Sequence, residues 1–122
     1  MSIIAAYVVP HPPIILPDIG KGEEKKIHLT VNAYERAMKE AADLEPDTVI
    51  IASPHTVMYA DYFHIAPGED ASGSFAQFGV PELAVTAHYD AVLAKEVAEA
   101  AHAEGIEAGP VGGRNAALDH AV

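Results

Sequence analysis

Two histidines in proline-containing turns are the residues of this chain best suited to do chemistry. His11 lies in the sequence Pro-His-Pro-Pro at residues 10–13, and His55 ends the sequence Ser-Pro-His at residues 53–55. Each histidine follows a run rich in Val, Ile and Ala. Because neutral imidazole is the commonest side-chain ligand of transition metals, two such turns brought to one place would suit a metal site.

The elements between the two turns are expected to bring the histidines together. Residues 2–9 and 48–52 read as buried strands because they are almost continuously apolar, and residues 22–44 read as an amphipathic helix. The order strand, helix, strand predicts a right-handed parallel crossover. Both histidines would then leave the same carboxyl edge of the sheet, where open α/β sheets place their ligand sites.

A purely structural role is the alternative reading for each of these histidines. An imidazole between prolines can cap a turn and bond a backbone carbonyl, and for one histidine alone that use is the more frequent one. Two histidines in matched positions favour the metal site. A catalytic metal needs two or three protein ligands and open positions, and two imidazoles with one carboxylate are typical of non-haem Fe(II).

The remaining candidates carry weaker signals. Four other histidines are assigned structural roles: His28, His64, His88 and His102. Of these, His64 is the least secure, because its predicted strand follows the His55 turn. Ser53 lacks the context of a hydrolase nucleophile, and residues 109–114 lack the Lys-Ser/Thr of a phosphate-binding loop. Four aromatic side chains are assigned to core packing rather than to a pocket: Tyr59, Tyr62, Phe75 and Phe78.

The pattern downstream continues the alternation of strands and helices. We predict strands at 61–67, 83–89 and 106–111, a polar loop at 68–79, a helix at 90–104 and a turn at 112–114. Asp90 is the expected amino-terminal cap of that helix, and Gly105 its end. The chain is thus predicted to be α/β, with a parallel or mixed central sheet and helices on both faces, in a single domain over residues 1–122.

Charge and composition exclude several classes of function. The 122 residues include 18 acidic and 7 basic side chains, for a net charge of −11, and form no basic cluster. Nucleic acid and anionic membranes are therefore not expected as partners. Cysteine is absent, which excludes disulfides and Cys-ligated zinc and fits a cytoplasmic location. The apolar residues 2–9 are too short for a signal peptide or a membrane span.

Five short segments together resemble one known family. They are Pro-His-Pro-Pro at 10–13, Ser-Pro-His at 53–55, Asp-Tyr-Phe-His-Ile at 61–65, Phe-Ala-Gln-Phe-Gly at 75–79 and Leu-Asp-His at 118–120. The chain resembles the class III extradiol ring-cleavage dioxygenase superfamily, and most closely its catalytic, LigB-type subunit, to which the non-enzymatic Memo proteins are related. The resemblance covers the whole chain but only the amino-terminal half or less of a family member, so we expect a truncated LigB-like domain.

The resemblance implies a role for each of three histidines. His11 and His55 match the two imidazole metal ligands of the family, and His120 matches the active-site histidine of its Asp-His-Gly motif, which is useful for proton transfer. Ala121 stands where the family usually has glycine. The third ligand lies far downstream in family members and is expected beyond residue 122. The implied metal is Fe(II), with zinc as the alternative.

The implied function is the oxygen-dependent ring cleavage of a catechol-type aromatic diol, with the diol and O2 as partners. Two alternatives stay open: a non-catalytic, Memo-like binding protein, and a zinc-dependent hydrolase that uses the same histidines. Family members are often encoded with or fused to an AMMECR-type domain, so association with such a domain is expected. A truncated domain would leave apolar side chains and a sheet edge uncovered, and we therefore also expect a homo-oligomer.

Overall fold

The structure is a computed structural model that describes residues 2–55, 58–111 and 117–122. The chain divides into two compact units, Met1–Ile51 and Ala52–Val122. The turn predicted at residues 112–114 lies outside the described residues. Among the residues that are described, no helix is long and apolar enough to cross a membrane.

Short helices make up the regular structure of the first unit. Helix α1 spans Pro17–Gly20 and helix α2 spans His28–Asp43, with 3-10 turns at Pro13–Ile15 and Glu23–Ile27. Proline begins both α1 and the first of these turns, where its fixed φ and missing N–H match the first helical position. The helix predicted at 22–44 is thus confirmed in place, although its first turn is 3-10 rather than α.

The strands predicted at 2–9 and 48–52 are wrong. Both segments are irregular and exposed: Val8 is fully exposed, and the side chain of Ile50 is 73% exposed. A strand exists only when another strand accepts and donates its backbone hydrogen bonds, and the described strands pair only with one another. The apolar pattern indicated a tendency to be buried but supplied no ladder partner. The parallel crossover expected between these segments is therefore not formed by the described residues.

All of the described strands lie in the second unit. Strand β1 (Phe63–His64) pairs in parallel with β4 (Ala108–Gly109), and β2 (Asp70–Phe75) pairs antiparallel with β3 (Val80–His88). Helix α3 spans Ala91–Ala103 between β3 and β4. The α/β class, with parallel and antiparallel strands, is confirmed. Instead of one central sheet, the described strands form two sheets of two strands each.

Strand β2 occupies a segment that was predicted to be a loop. Its sequence, Asp-Ala-Ser-Gly-Ser-Phe, consists mostly of small polar residues with little preference for strands. Pairing with β3 overrides that preference, because the ladder satisfies the backbone groups of both strands. The side chains of Ala71, Phe75 and Val80 are the buried apolar core of the described residues. The β2–β3 hairpin is therefore the best-packed part of the second unit.

The predicted bounds of helix α3 are confirmed, and local interactions at its two ends explain them. Asp90 caps its amino terminus, with one carboxylate oxygen accepting the N–H of Leu93 at 2.9 Å. Beyond its carboxyl end, Gly105 has a φ of +75°, a left-handed conformation that glycine adopts without strain. The strands predicted on either side of α3 are confirmed as β3 and β4, and the one predicted at 61–67 is confirmed as the shorter β1.

Candidate active site

His55 is presented by a turn that its own neighbours close. The Ser53 hydroxyl oxygen accepts a hydrogen bond from the backbone N–H of His55 at 3.2 Å. Pro54 lies between them and restricts the backbone further through its fixed φ. The imidazole of His55 is exposed, so it is accessible to an ion or a substrate. Ser53 thus acts as the acceptor that closes this turn.

His120 is carried by a segment that docks on strand β2. The backbone N–H of Leu118 donates to the carbonyl oxygen of Ser72 at 3.1 Å. Gly73 approaches the same segment so closely that a Cβ atom at this position would stand 2.5 Å from the carbonyl oxygen of Leu118. Only glycine permits this approach without a shift of the backbone. The hairpin therefore positions the segment that ends in His120.

Asp119 closes the turn in which His120 lies. Its Oδ1 accepts a hydrogen bond from the backbone N–H of Ala121 at 2.7 Å, which is the arrangement of an Asx turn. The other carboxylate oxygen, Oδ2, is buried and accepts no hydrogen bond from the described residues. Burial and, secondly, the negative charge of Asp119 raise the pKa of Tyr89. The hydrogen bond that Ala121 donates to Asp119 fixes the backbone on both sides of His120.

The second unit brings the imidazoles of His55 and His120 together. Their ring centroids are 4.3 Å apart, and the ring planes are inclined by 43°. Two imidazoles this close can act on one bound ion or on one bound molecule. His11 belongs to the first unit, where it is half-buried and lies two residues before the turn Pro13–Ile15. Each of the three histidines is, by its donor chemistry, a candidate metal ligand.

The tip of the β2–β3 hairpin also contacts His120. Gln77 Nε2 lies 3.4 Å from His120 Nδ1, and the ring of Phe78 meets the imidazole edge-on at a centroid distance of 5.4 Å. Phe78 in turn packs against the buried Phe75, at 6.2 Å between centroids. No local pattern in the sequence signals this role of Gln77, because Gln77 and His120 are 43 positions apart.

The other four histidines lie within helices and strands: His28 in α2, His64 in β1, His88 in β3 and His102 in α3. His28 Nδ1 donates to the carbonyl oxygen of Lys25 at 3.2 Å, and His102 lies in the last turn of α3. His64 is half-buried in β1, and its Nδ1 has no hydrogen-bond partner among the described residues.

His88 ends strand β3 opposite Asp70, the first residue of β2. His88 Nδ1 lies 2.8 Å from an Asp70 carboxylate oxygen, and both side chains are exposed. The hydrogen bond that His88 donates to Asp70, followed by the negative charge of Asp70, raises the pKa of His88. This pair joins the open end of the hairpin, whereas His120 contacts the opposite end.

The aromatic residues of the second unit serve mainly in packing against one another, although only Phe75 of the four assigned to the core is buried and Tyr59 and Phe78 are exposed. Tyr59 and Tyr62 meet edge-on at 5.7 Å between ring centroids. The Tyr62 hydroxyl accepts the backbone N–H of Val111 at 3.1 Å, which ties the start of β1 to the end of β4. Phe78 is the exception, because it contacts an imidazole of the candidate site.

Comparison with known proteins identifies relatives of the chain. It is 39% identical over 106 residues to Protein CA_C1420 of Clostridium acetobutylicum, a match that covers 87% of this chain and 23% of the relative. The chain thus spans about a quarter of the length of the curated relative that it matches. No solved structure matches the chain significantly.

A family model covers nearly all of the sequence. The model is described as the catalytic LigB subunit of aromatic ring-opening dioxygenase, and it matches residues 5–122. The match includes all three turn histidines and the hairpin that contacts His120. The chain therefore belongs to the family of the catalytic LigB subunit of aromatic ring-opening dioxygenases.

Proposed function

We propose that the whole protein is a non-haem, Fe(II)-dependent extradiol dioxygenase that opens the ring of a catechol-type diol beside its two hydroxyl groups. The observation that carries this proposal is the pair of imidazoles of His55 and His120, with centroids 4.3 Å apart, in a chain of the LigB family. The imidazole of His55 is exposed and that of His120 is half-buried, so both can be reached from solvent. They suit the binding of a metal and the transfer of a proton.

The donor set fits a transition metal with nitrogen and oxygen ligands. The 122 residues of this chain offer no thiolate ligand, and the imidazoles that they do offer suit both iron and zinc. By resemblance to the family, His11 and His55 would hold the ion, and a residue beyond 122 would complete the set. A bound metal ion would supply positive charge that lowers the pKa of the diol hydroxyls, and a place where the diol and O2 meet.

His120 is proposed to donate a hydrogen bond to the bound diol and to return a proton to it. An imidazole has an ordinary pKa close to neutrality and can therefore accept and return a proton at physiological pH. The Asx turn of Asp119 and the docking of Leu118 on Ser72 fix the backbone that carries it. The half-buried position of the ring limits exchange of its proton with bulk water. His120 would thus act on the substrate while His55 holds the metal.

Metal loading followed by oxygen uptake tests the proposal. The whole protein is loaded under anaerobic conditions with Fe(II) or with Zn(II), and O2 consumption is measured with a series of catechols. We expect turnover only with iron, and loss of both bound iron and turnover in His55→Ala. His28→Ala is the matched control, because His28 bonds only its own helical turn in the described structure, and it should keep near wild-type activity.

The remaining outcomes contradict the proposal. Iron-loaded protein that consumes no O2 with any diol rules out the dioxygenase. Hydrolytic activity of the zinc form would instead identify a zinc hydrolase, and failure to bind either metal would leave the Memo-like binding protein as the alternative.

A further inference from the structure

We propose that Gln77 is a positioning residue that sets the tautomer of His120. Gln77 Nε2 lies 3.4 Å from His120 Nδ1. An amide nitrogen can only donate a hydrogen bond, so Nδ1 must be the acceptor. A neutral imidazole carries one proton, which therefore lies on Nε2. The contact fixes which nitrogen of His120 donates, and this holds whatever molecule the site receives.

The hairpin tip holds Gln77 in place for this contact. The 3-10 turn Ala76–Phe78 is closed by the Gly79 N–H, which donates to the carbonyl oxygen of Ala76 at 3.0 Å. Gly79 has a φ of +80°, which glycine adopts easily and which lets the chain return into β3. At the other side of the turn, the buried ring of Phe75 anchors the end of β2. The Gln77 backbone is thus fixed on both sides.

Two neighbouring residues of this tip act on different properties of the same ring. Phe78 packs edge-on against the imidazole, at an interplanar angle of 75°, and so limits its rotation. Gln77 bonds one nitrogen and so selects the tautomer. With Nδ1 engaged as an acceptor and Nε2 protonated, neither nitrogen offers a lone pair to a metal. His120 is thereby a hydrogen-bond donor to an anionic group, such as a deprotonated diol, rather than a metal ligand.

The role of His120 as a donor to the diol rests on the proposed function, whereas the tautomer of His120 does not. The following test separates the two statements. The full chain is labelled with 15N in its histidines, and long-range 1H–15N spectra are recorded at a pH at which the imidazoles are neutral. The His120 signals are assigned by their loss in His120→Gln. In the wild type we expect the proton almost entirely on Nε2.

Two substitutions at position 77 are expected to change the tautomer ratio of His120 to different extents. In Gln77→Glu the carboxylate can only accept, so the proton of His120 should move to Nδ1, with a change in tautomer ratio of at least about tenfold because the new bond is charge-assisted. In Gln77→Ala the ratio should return toward that of free imidazole. His28 is the internal control, because its Nδ1 donates to a carbonyl oxygen; its signals should report Nδ1–H in every variant.

Identical His120 signals in the wild type and both variants would overturn the proposal. If the tautomer shifts as expected but the iron-loaded whole protein has no dioxygenase activity, the positioning role stands and the proposed function fails. If the protein is an active dioxygenase, Gln77→Glu should lower kcat without loss of bound iron. Unchanged kcat in a variant with a shifted tautomer would show that His120 does not donate to the substrate.

Discussion

At the scale of residues, His55 and His120 are held in different ways. His55 lies in an exposed turn that the Ser53 hydroxyl closes. His120 is half-buried and is held by the docking of Leu118 on Ser72, by the Asx turn of Asp119 and by the hairpin tip. The hydrogen bond of the local turn uses the backbone of His55 and not its side chain, whereas His120 is held by residues far away in the sequence. Substitutions should therefore separate function from stability at position 55 more cleanly than at position 120.

Removal of the His55 imidazole is expected to affect function rather than folding. The side chain is exposed and its turn is closed by a backbone N–H, so His55→Ala should change the free energy of unfolding by less than about 0.5 kcal/mol. Thermal or urea unfolding of the metal-free protein measures this. Ser53→Ala is the matched comparison, and it should cost about 0.5–1.5 kcal/mol because it removes the hydrogen bond of the turn. Unfolding of metal-free His55→Ala would instead assign a structural role to this histidine.

At the scale of elements, the β2–β3 hairpin is the platform of the candidate site. Its core residues Ala71, Phe75 and Val80 are buried, its tip contacts His120, and its strand β2 receives the segment 117–122. One hairpin thus determines the position of one of the two imidazoles. Changes in the hairpin should consequently appear at His120 even when they lie outside the site.

Gly73→Ala is expected to displace the segment that carries His120. The new Cβ would stand 2.5 Å from the Leu118 carbonyl oxygen, which is backbone and cannot move alone. We expect a loss of about 1–3 kcal/mol in the free energy of unfolding, together with changed NMR shifts of His120. Ser72→Ala is the matched control, because its side chain is exposed and the backbone carbonyl that accepts from Leu118 is retained. Equal stability and unchanged His120 signals in both variants would contradict the docking of this segment.

The pair His88–Asp70 makes the stability of the hairpin depend on pH. Asp70 raises the pKa of His88 above its usual 6.5, so the folded state favours the protonated imidazole. The stabilisation is complete below the unfolded pKa, near pH 6.5, and is lost as pH rises through the higher folded pKa. The difference in stability between wild type and Asp70→Asn should therefore be greatest in mild acid and shrink above neutrality. A difference that grows with pH, measured by unfolding across this range, would contradict the assignment.

The elements that were predicted correctly depend on local interactions. Asp90 and Gly105 mark the ends of α3 because a cap and a left-handed glycine act within a few residues of the chain. The segment 70–75 was misassigned as a loop because its strand exists through pairing with distant residues, and segments 2–9 and 48–52 were misassigned because an apolar pattern does not name a partner.

The residues of the candidate site also divide into those with a local signal in the sequence and those that depend on distant contacts. His55 stands out locally, since proline and a preceding apolar run mark its turn, and His120 was identified through resemblance to the family. Gln77 and Gly73 could not be found from the sequence, because their contacts with His120 and Leu118 join segments that are distant along the chain. Such contacts depend on the fold rather than on local spacing.

At the scale of the whole molecule, exposed apolar surface and net charge act in opposite directions. Large apolar side chains are exposed in the first unit, among them Ile3, Val8, Val49 and Ile50. Burial of these side chains in an interface would be favourable by about 25 cal/mol for every Å² of apolar surface removed from water. The net charge of −11 opposes the approach of a second copy. The balance between the two should therefore depend on ionic strength.

We expect the 122-residue chain to self-associate, and to do so more strongly as salt is added. Salt screens repulsion between acidic chains but leaves apolar attraction in place. Static light scattering across a salt and concentration series measures the mass. Val8→Lys and Ile50→Lys should reduce association, whereas Val122→Lys, near the other end of the chain, serves as a charge-matched control. A monomer at high concentration and high salt would contradict the expectation.

The hydrogen bond between Leu118 and Ser72 makes the docking of the segment that carries His120 measurable. The Leu118 amide proton is engaged at 3.1 Å, so it exchanges with deuterium mainly when the segment leaves the hairpin. Its protection factor therefore reports the fraction of time that the imidazole spends in place. This single amide can be followed without metal, substrate or turnover. The opening of the backbone beside His120, for which a role in proton transfer is proposed, would thereby be measured directly.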